Sequence, residues 1–303
     1  MSSTLTGVVL VGGGTLALAL VSYSAREIGA ALRHAFFRPL PGEAGRRARA
    51  LWEALARSAI LLGALGAVFG FVAFLSSGDG PALVVERLGE QVLGPWITGL
   101  ALAALGALPA SRVALTSSAG FTLPASEESV VPGARSARPL RPETVLGYVL
   151  LVALLARSFP TPGPRPDLRP FVWLLHGPAW LTVGAGALAI ALYLGEVRRG
   201  RSITFGLAGA GSVGALLGLL QAFHGFAISA IAPVAGGLVF SLSACVATLV
   251  GLGAVGLPLE DRAIAEGREV RSSRLVWYGF PVAAVLVVAI AWVIVSTPMK
   301  VRP

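Results

Sequence analysis

The chain of 303 residues has one cysteine, one lysine (Lys300) and little charge: 13% of its residues are Asp, Glu, Lys or Arg. A soluble domain carries about a quarter, so an ordinary soluble fold is excluded. The lone cysteine, Cys245, lies in an apolar run, and one thiol makes neither a disulfide framework nor a cysteine-built metal site. No serine sits in a G-x-S-x-G elbow. The histidines His34, His176 and His224 share no ligand spacing and have no acid near enough in sequence to complete a metal site. No enzymatic activity, metal or cofactor is therefore expected.

What is present is apolar length. Mean hydropathy is +0.79, and several runs continue for ~18 residues or more without a charge, enough to cross a bilayer as helices. They lack the alternation of barrel strands and are rich in Ala, Leu and Gly. The expectation is an all-α polytopic membrane protein with about eight spans, near 5–25, 58–76, 92–110, 144–158, 178–196, 203–223, 231–257 and 275–297. Met1 to Gly7 carries no basic residue, so the first span reads as a retained, reversed anchor, not a signal peptide.

The net charge of +9 is a matter of placement. With the N-terminus outside, one set of loops holds Arg26, Arg33, Arg38, Arg46, Arg47, Arg49 and Arg57, then Arg112, Arg135, Arg138 and Arg141. It continues with Arg198, Arg199 and Arg201, and then Arg262, Arg268, Arg271 and Arg274. The opposite loop around Asp79, Glu86 and Glu90 is acidic overall; Arg157, Arg165 and Arg169 dissent mildly. This bias puts the arginines on the cytoplasmic side and both termini outside. Contact with anionic lipid follows, and nucleic-acid binding is not expected. Arginine in place of lysine points to a GC-rich bacterial genome, hence to a bacterial inner membrane.

The chain also repeats. Ser202 to Arg262 and, more loosely, Ser58 to Arg112 each read as a Gly-rich apolar run, a short link, a second apolar run, a proline and an arginine. Four spans per copy is an even number, so the copies stand the same way up, as parallel four-helix repeats over 1–159 and 160–303. Within 26–57, Leu51, Trp52 and Leu55 share one helical face, predicting a helix that either runs straight into span two or lies flat at the interface. Residues 116–142 read as an inner linker, and the proline-punctuated PTPGPRPDLRP as an extended outer seam.

Gly209-Ala-Gly211-Ser-Val-Gly214 fits G-x-G-x-x-G, but it lies inside span six, and the next acid is Glu260. A dinucleotide site needs a strand before it and an acid about 20 residues on, so close helix packing explains the pattern better. No Asp, Glu, Lys or Arg falls inside a confident span; Glu196 stands at the very end of 178–196. Ion-coupled pumps usually keep such groups there, so this chain alone makes a poor proton pathway.

Residues 202–262 resemble the last two spans of the MotA/TolQ/ExbB family of proton-channel subunits. The resemblance runs through Gly206, Gly209 and Gly214, then Leu220-Gln221-Ala222-Phe223, Ala232-Pro233, Ala247-Thr248, Gly251-Leu252 and Pro258. In the first copy Gly63, Gly66, Val68 and Gly70 follow the family's glycine pattern. The chain departs from the pattern at Ser243, where TolQ and ExbB have Glu, and at Ala67 and Gly211, where the family has Thr. It is also longer between Pro233 and Pro258. The resemblance implies a homo-oligomeric subunit that scaffolds or walls a proton-driven channel or motor. The proton-carrying Asp would come from a single-span partner of the MotB/TolR/ExbD type. It also implies small-residue packing at Gly63, Gly66, Gly70, Gly206, Gly209, Gly214 and Gly251, with Thr248 facing a lumen. Ser243, five residues earlier, lies ~140° away, on the same face only if that face is broad. The alternative for Thr248 is a bond to its own backbone one turn back. A small-solute transporter subunit and a non-conducting scaffold are the other readings of the whole chain.

Overall fold

The computed structural model describes residues 3–36, 42–77, 89–118, 142–158, 174–193, 201–265 and 275–297. Among them every regular element is helical. Helix α1 (Ser3–Ser22) is apolar throughout. At Tyr23 the chain bends by 115° into α2 (Ala25–Phe36). Ser24 starts α2 with a reciprocal cap: Glu27 Oε2 accepts from the Ser24 amide and hydroxyl, each at 2.8 Å, and the Glu27 amide donates to Ser24 Oγ at 3.3 Å. Helix α3 (Gly42–Ser77) is continuous over 36 residues. That is about 54 Å at 1.5 Å per residue, well beyond the ~30 Å hydrocarbon core. The segment before span two therefore runs straight into the apolar helix, and Leu51 and Trp52 are buried on it.

A π-helical turn (Gly89–Leu93) leads into α4 (Gly94–Ser118). Then come α5 (Pro142–Ser158), α6 (Gly177–Tyr193) and α7 (Arg201–Ala227). Ser229, in the left-handed region at φ 55°, turns the chain, and the Ala230 amide closes back on the Gly225 carbonyl at 2.8 Å. Helix α8 (Ile231–Gly251) follows, then a π turn (Leu252–Gly256), α9 (Leu257–Ala265), another π turn (Leu275–Gly279) and α10 (Phe280–Ser296).

Helix α3 is central: it packs on α4, α1, α10 and α8, while α7 packs between α8 and α6, and α5 lies on α1. Of the apolar window of α3, 78% is buried, against 39% for α10, which sits at the periphery. Phe71, Val68, Leu61, Val246, Leu252 and Trp277 fill the interior. Leu181, Leu216, Leu220 and Val293 point outward, as lipid-facing side chains do.

Four helical stretches are long and apolar enough to cross a membrane: Arg47–Leu75, Ile203–Ala227, Ile231–Arg262 and Val276–Ser296. The bent pair Gly7–Ser22 and Ala25–Arg33 makes a fifth if counted as one span. Gln91–Ala107 and Gly177–Leu192 are apolar but shorter. Among the described residues, four to five helices thus have the length and composition of membrane spans. The linker from 119 on, the outer seam and many orientation-setting arginines (Arg38, Arg135, Arg138, Arg141, Arg198, Arg199, Arg268, Arg271, Arg274) lie outside the described residues.

Candidate functional site

The glycines singled out in the sequence sit where helices touch. A methyl on Gly63 would lie 3.0 Å from Gly99 Cα and 3.1 Å from the Pro95 carbonyl oxygen; on Gly66, 2.7 Å from Pro95 Cβ. Gly70 abuts the Gln91 carbonyl. On α7 a methyl at Gly206 would fall 2.6 Å from the Ala187 carbonyl oxygen and one at Gly214 3.1 Å from Ala244 Cβ, while one at Gly251 of α8 would lie 3.0 Å from Leu207 Cδ2. Gly209 differs: its nearest neighbour, Ile190 Cδ1, is at an ordinary 3.5 Å. The G-x-G-x-x-G pattern therefore lies within one helix with no strand before it, and two of its three glycines are contact points.

Thr248 and Ser243 both lie buried within the chain, each with its hydroxyl bonded to a backbone carbonyl. Thr248 is fully buried, its hydroxyl donates to the Ala244 carbonyl at 2.8 Å, and Gly211 packs directly against it. The physical reason is local: a helical threonine satisfies its hydroxyl on the preceding turn, and the glycine opposite leaves just enough room for the side chain. Ser243, also fully buried, donates to the Leu174 carbonyl at 3.0 Å, across to the segment before α6. Ser241 bridges α8 to the Ala215 carbonyl of α7 at 2.8 Å.

The chemically distinctive place lies elsewhere, at the end of the bundle where α1, α3 and α9 meet. Arg57 of α3 and Glu260 of α9 form a buried ion pair, Nη1 donating to Oε2 at 2.6 Å, with side chains 4% and 2% exposed. Trp277 Nε1 donates to the other oxygen, Oε1, at 2.8 Å, and its ring lies under the guanidinium with Cζ 5.3 Å from the centroid. Arg57 Nε also donates to the Glu53 carbonyl at 3.3 Å. Asp261, the next residue, is buried too, and the Tyr23 hydroxyl donates to its Oδ1 at 3.2 Å. Beside it a cavity of about 10 Å³ is lined by Leu18, Ser22, Tyr23, Leu51, Leu257 and Asp261, among others. Such a volume is about that of one water.

The π turn at Leu252–Gly256 precedes this cluster, and Ile231–Arg262 runs through it as one span. The Tyr148 hydroxyl donates to the Ala254 carbonyl of this turn at 3.0 Å, and Gly256 lets the Trp277 ring approach to 3.2 Å of where a methyl would sit. In the sequence Arg57, Glu260 and Asp261 flank uncharged runs, where Arg57 reads as one of the loop arginines. Two adjacent acids closing an apolar run of that length were the available signal.

The remaining candidates do not converge. His176 is half-buried, edge-on to Phe240 with centroids 5.8 Å apart, and His224 is exposed near the end of α7. The side chain of His34 lies outside the described residues. Among the described residues no three His, Cys, Asp or Glu side chains come together to hold a metal. What the cluster can do chemically is fix opposite charges inside the fold, tie three helices and hold a water or proton. No family model, no curated protein and no solved structure matches the chain.

Proposed function

We propose that this chain is a membrane scaffold subunit of the MotA/TolQ/ExbB type, walling a proton-driven complex and holding a single-span partner without conducting through its own core. The observation that carries this reading is where the hydroxyls go. Thr15, Thr98, Ser212, Ser241, Ser243 and Thr248 all donate to backbone carbonyls. A proton relay needs groups free to donate and accept in turn, and these donors are committed.

The finer architecture belongs to the same proposal: eight spans, α1, α4, α5 and α6 completing the set, in two parallel copies over 1–159 and 160–303. Both termini lie outside a bacterial inner membrane. The two glycine-packed pairs, α3–α4 and α7–α8, support the duplication. Exposed Arg26, Arg33, Arg47 and Arg49 at the α2 end support an inner face there. The titrating Asp of the complex comes from a partner of the MotB/TolR/ExbD type.

The test is proton flux. The purified chain is reconstituted in liposomes containing a pH-sensitive dye, under a potassium diffusion potential. Flux should equal that of protein-free liposomes, and Thr248→Val should change nothing. Flux from the chain alone that Thr248→Val abolishes would restore the channel reading and sink the scaffold.

A further inference from the structure

We propose that Asp261 is a proton-binding site, its carboxyl held as the neutral acid beside the Arg57–Glu260 pair and facing the small cavity at Ser22 and Tyr23. Among the described residues the buried charged side chains are one arginine and two carboxylates. Arg57 bonds Glu260 at 2.6 Å, and Trp277 holds that carboxylate's second oxygen, so Glu260 is the acid fitted to stay ionised. Asp261, its chain neighbour, receives a longer bond from a neutral phenol, 3.2 Å from the Tyr23 hydroxyl. A second ionised carboxylate there is a surplus buried charge, costly both by desolvation and by repulsion from Glu260. A proton removes it.

The cavity gives the proton somewhere to go. Ser22 Oγ is buried, makes no well-formed hydrogen bond, and lines the same cavity close to the Asp261 carboxyl. The hydroxyl can donate to either form of that carboxyl, but only the neutral acid can donate back to it, directly or through one water.

The groups around Asp261 leave the balance as counted. Helix α1 and its bend bring Ser22 and Tyr23, which carry no charge. From α2, Glu27 spends its carboxylate on the Ser24 cap and lies 3.9 Å from Arg47. From α3 come Arg57 and Ser58, whose hydroxyl donates to the Leu55 carbonyl at 2.9 Å; Glu53, one turn away, is exposed and paired with Arg49. On α9 itself Arg262 is exposed, and the turn before α10 brings Trp277. The site goes beyond the scaffold role and does not depend on it, since a subunit that conducts nothing can still hold a buried acid.

Infrared difference spectroscopy of the purified full chain in lipid, titrated with pH, reads the protonated carboxyl directly. The expected result is an acid C=O band present at neutral pH, fading at alkaline pH and missing from Asp261→Asn, which mimics the neutral acid. In Glu260→Gln, Arg57 is released toward Asp261, and the band should fade at a pH lower by one unit or more, a tenfold change in proton affinity. Tyr23→Phe leaves the carboxyl in place and should shift the band's frequency, which keeps the test open if the other variants fail to accumulate. No acid band in the parent, a band that survives Asp261→Asn, a pH course unmoved by Glu260→Gln, or a frequency unmoved by Tyr23→Phe would each overturn the assignment.

Discussion

Midway along the α7–α8 pair, Gly218 meets its partner backbone to backbone, a methyl there falling 2.6 Å from both the Gly237 carbonyl oxygen and the Ser241 amide nitrogen. At the α1/α9 end of the bundle long side chains do the joining: Arg57 reaches Glu260 and Tyr23 reaches Asp261, residues 203 and 238 apart in the chain. The two regions fail in different ways. Contact through glycine rests on dispersion between closely approaching helices and is intolerant of added volume. Contact through the cluster rests on charge balance and is intolerant of a lone ion. The first kind joins neighbours in sequence; the second ties the N-terminal half of the chain to the C-terminal half.

Substitutions separate the two. Arg57→Ala should have the largest effect, a loss of about 3–5 kcal/mol, because Glu260 is left buried and uncompensated; unfolding in mixed micelles followed by circular dichroism measures it. Gly218→Ala comes next, at about 1–3 kcal/mol for a methyl driven into backbone, while Gly209→Ala, with open contact, should stay within about 0.5 kcal/mol. A similar cost at both glycines would show that close approach is not what the α7 pattern provides. Tyr23→Phe should cost about 1 kcal/mol for one hydrogen bond, readable in the same titration. Thr248→Val should be the mildest at a polar site, about 0.6 kcal/mol as for hydrogen bonds in membrane bundles, with the amount of protein in the membrane unchanged.

Much of the packed middle was legible in the residues. The spacing of Gly63, Gly66 and Gly70 announces a close helix contact, and Leu51, Trp52 and Leu55 announce that α3 begins well before its apolar run. The α1–α2 break was written in Ser24-Ala-Arg-Glu27, a capping signature, but the apolar run up to Ser22 concealed it. At Thr248 helical periodicity says which face the hydroxyl occupies and not whether its own backbone has taken it. The cluster was hidden for a further reason. Arg57, Glu260 and Asp261 each stand at the edge of an apolar run, where a charge normally meets water. Only the tertiary arrangement, with α3 packed against α9 and the guanidinium set over the Trp277 ring, buries them.

The claim that a buried ion pair ties the two halves together is tested most directly by a double-mutant cycle on Arg57→Met and Glu260→Gln. The expected result is a double variant far less destabilised than the two singles summed, a coupling of about 2–3 kcal/mol. Single effects that simply add, within about 0.5 kcal/mol, would mean that Arg57 and Glu260 do not sense each other in the membrane, and the clasp would be contradicted.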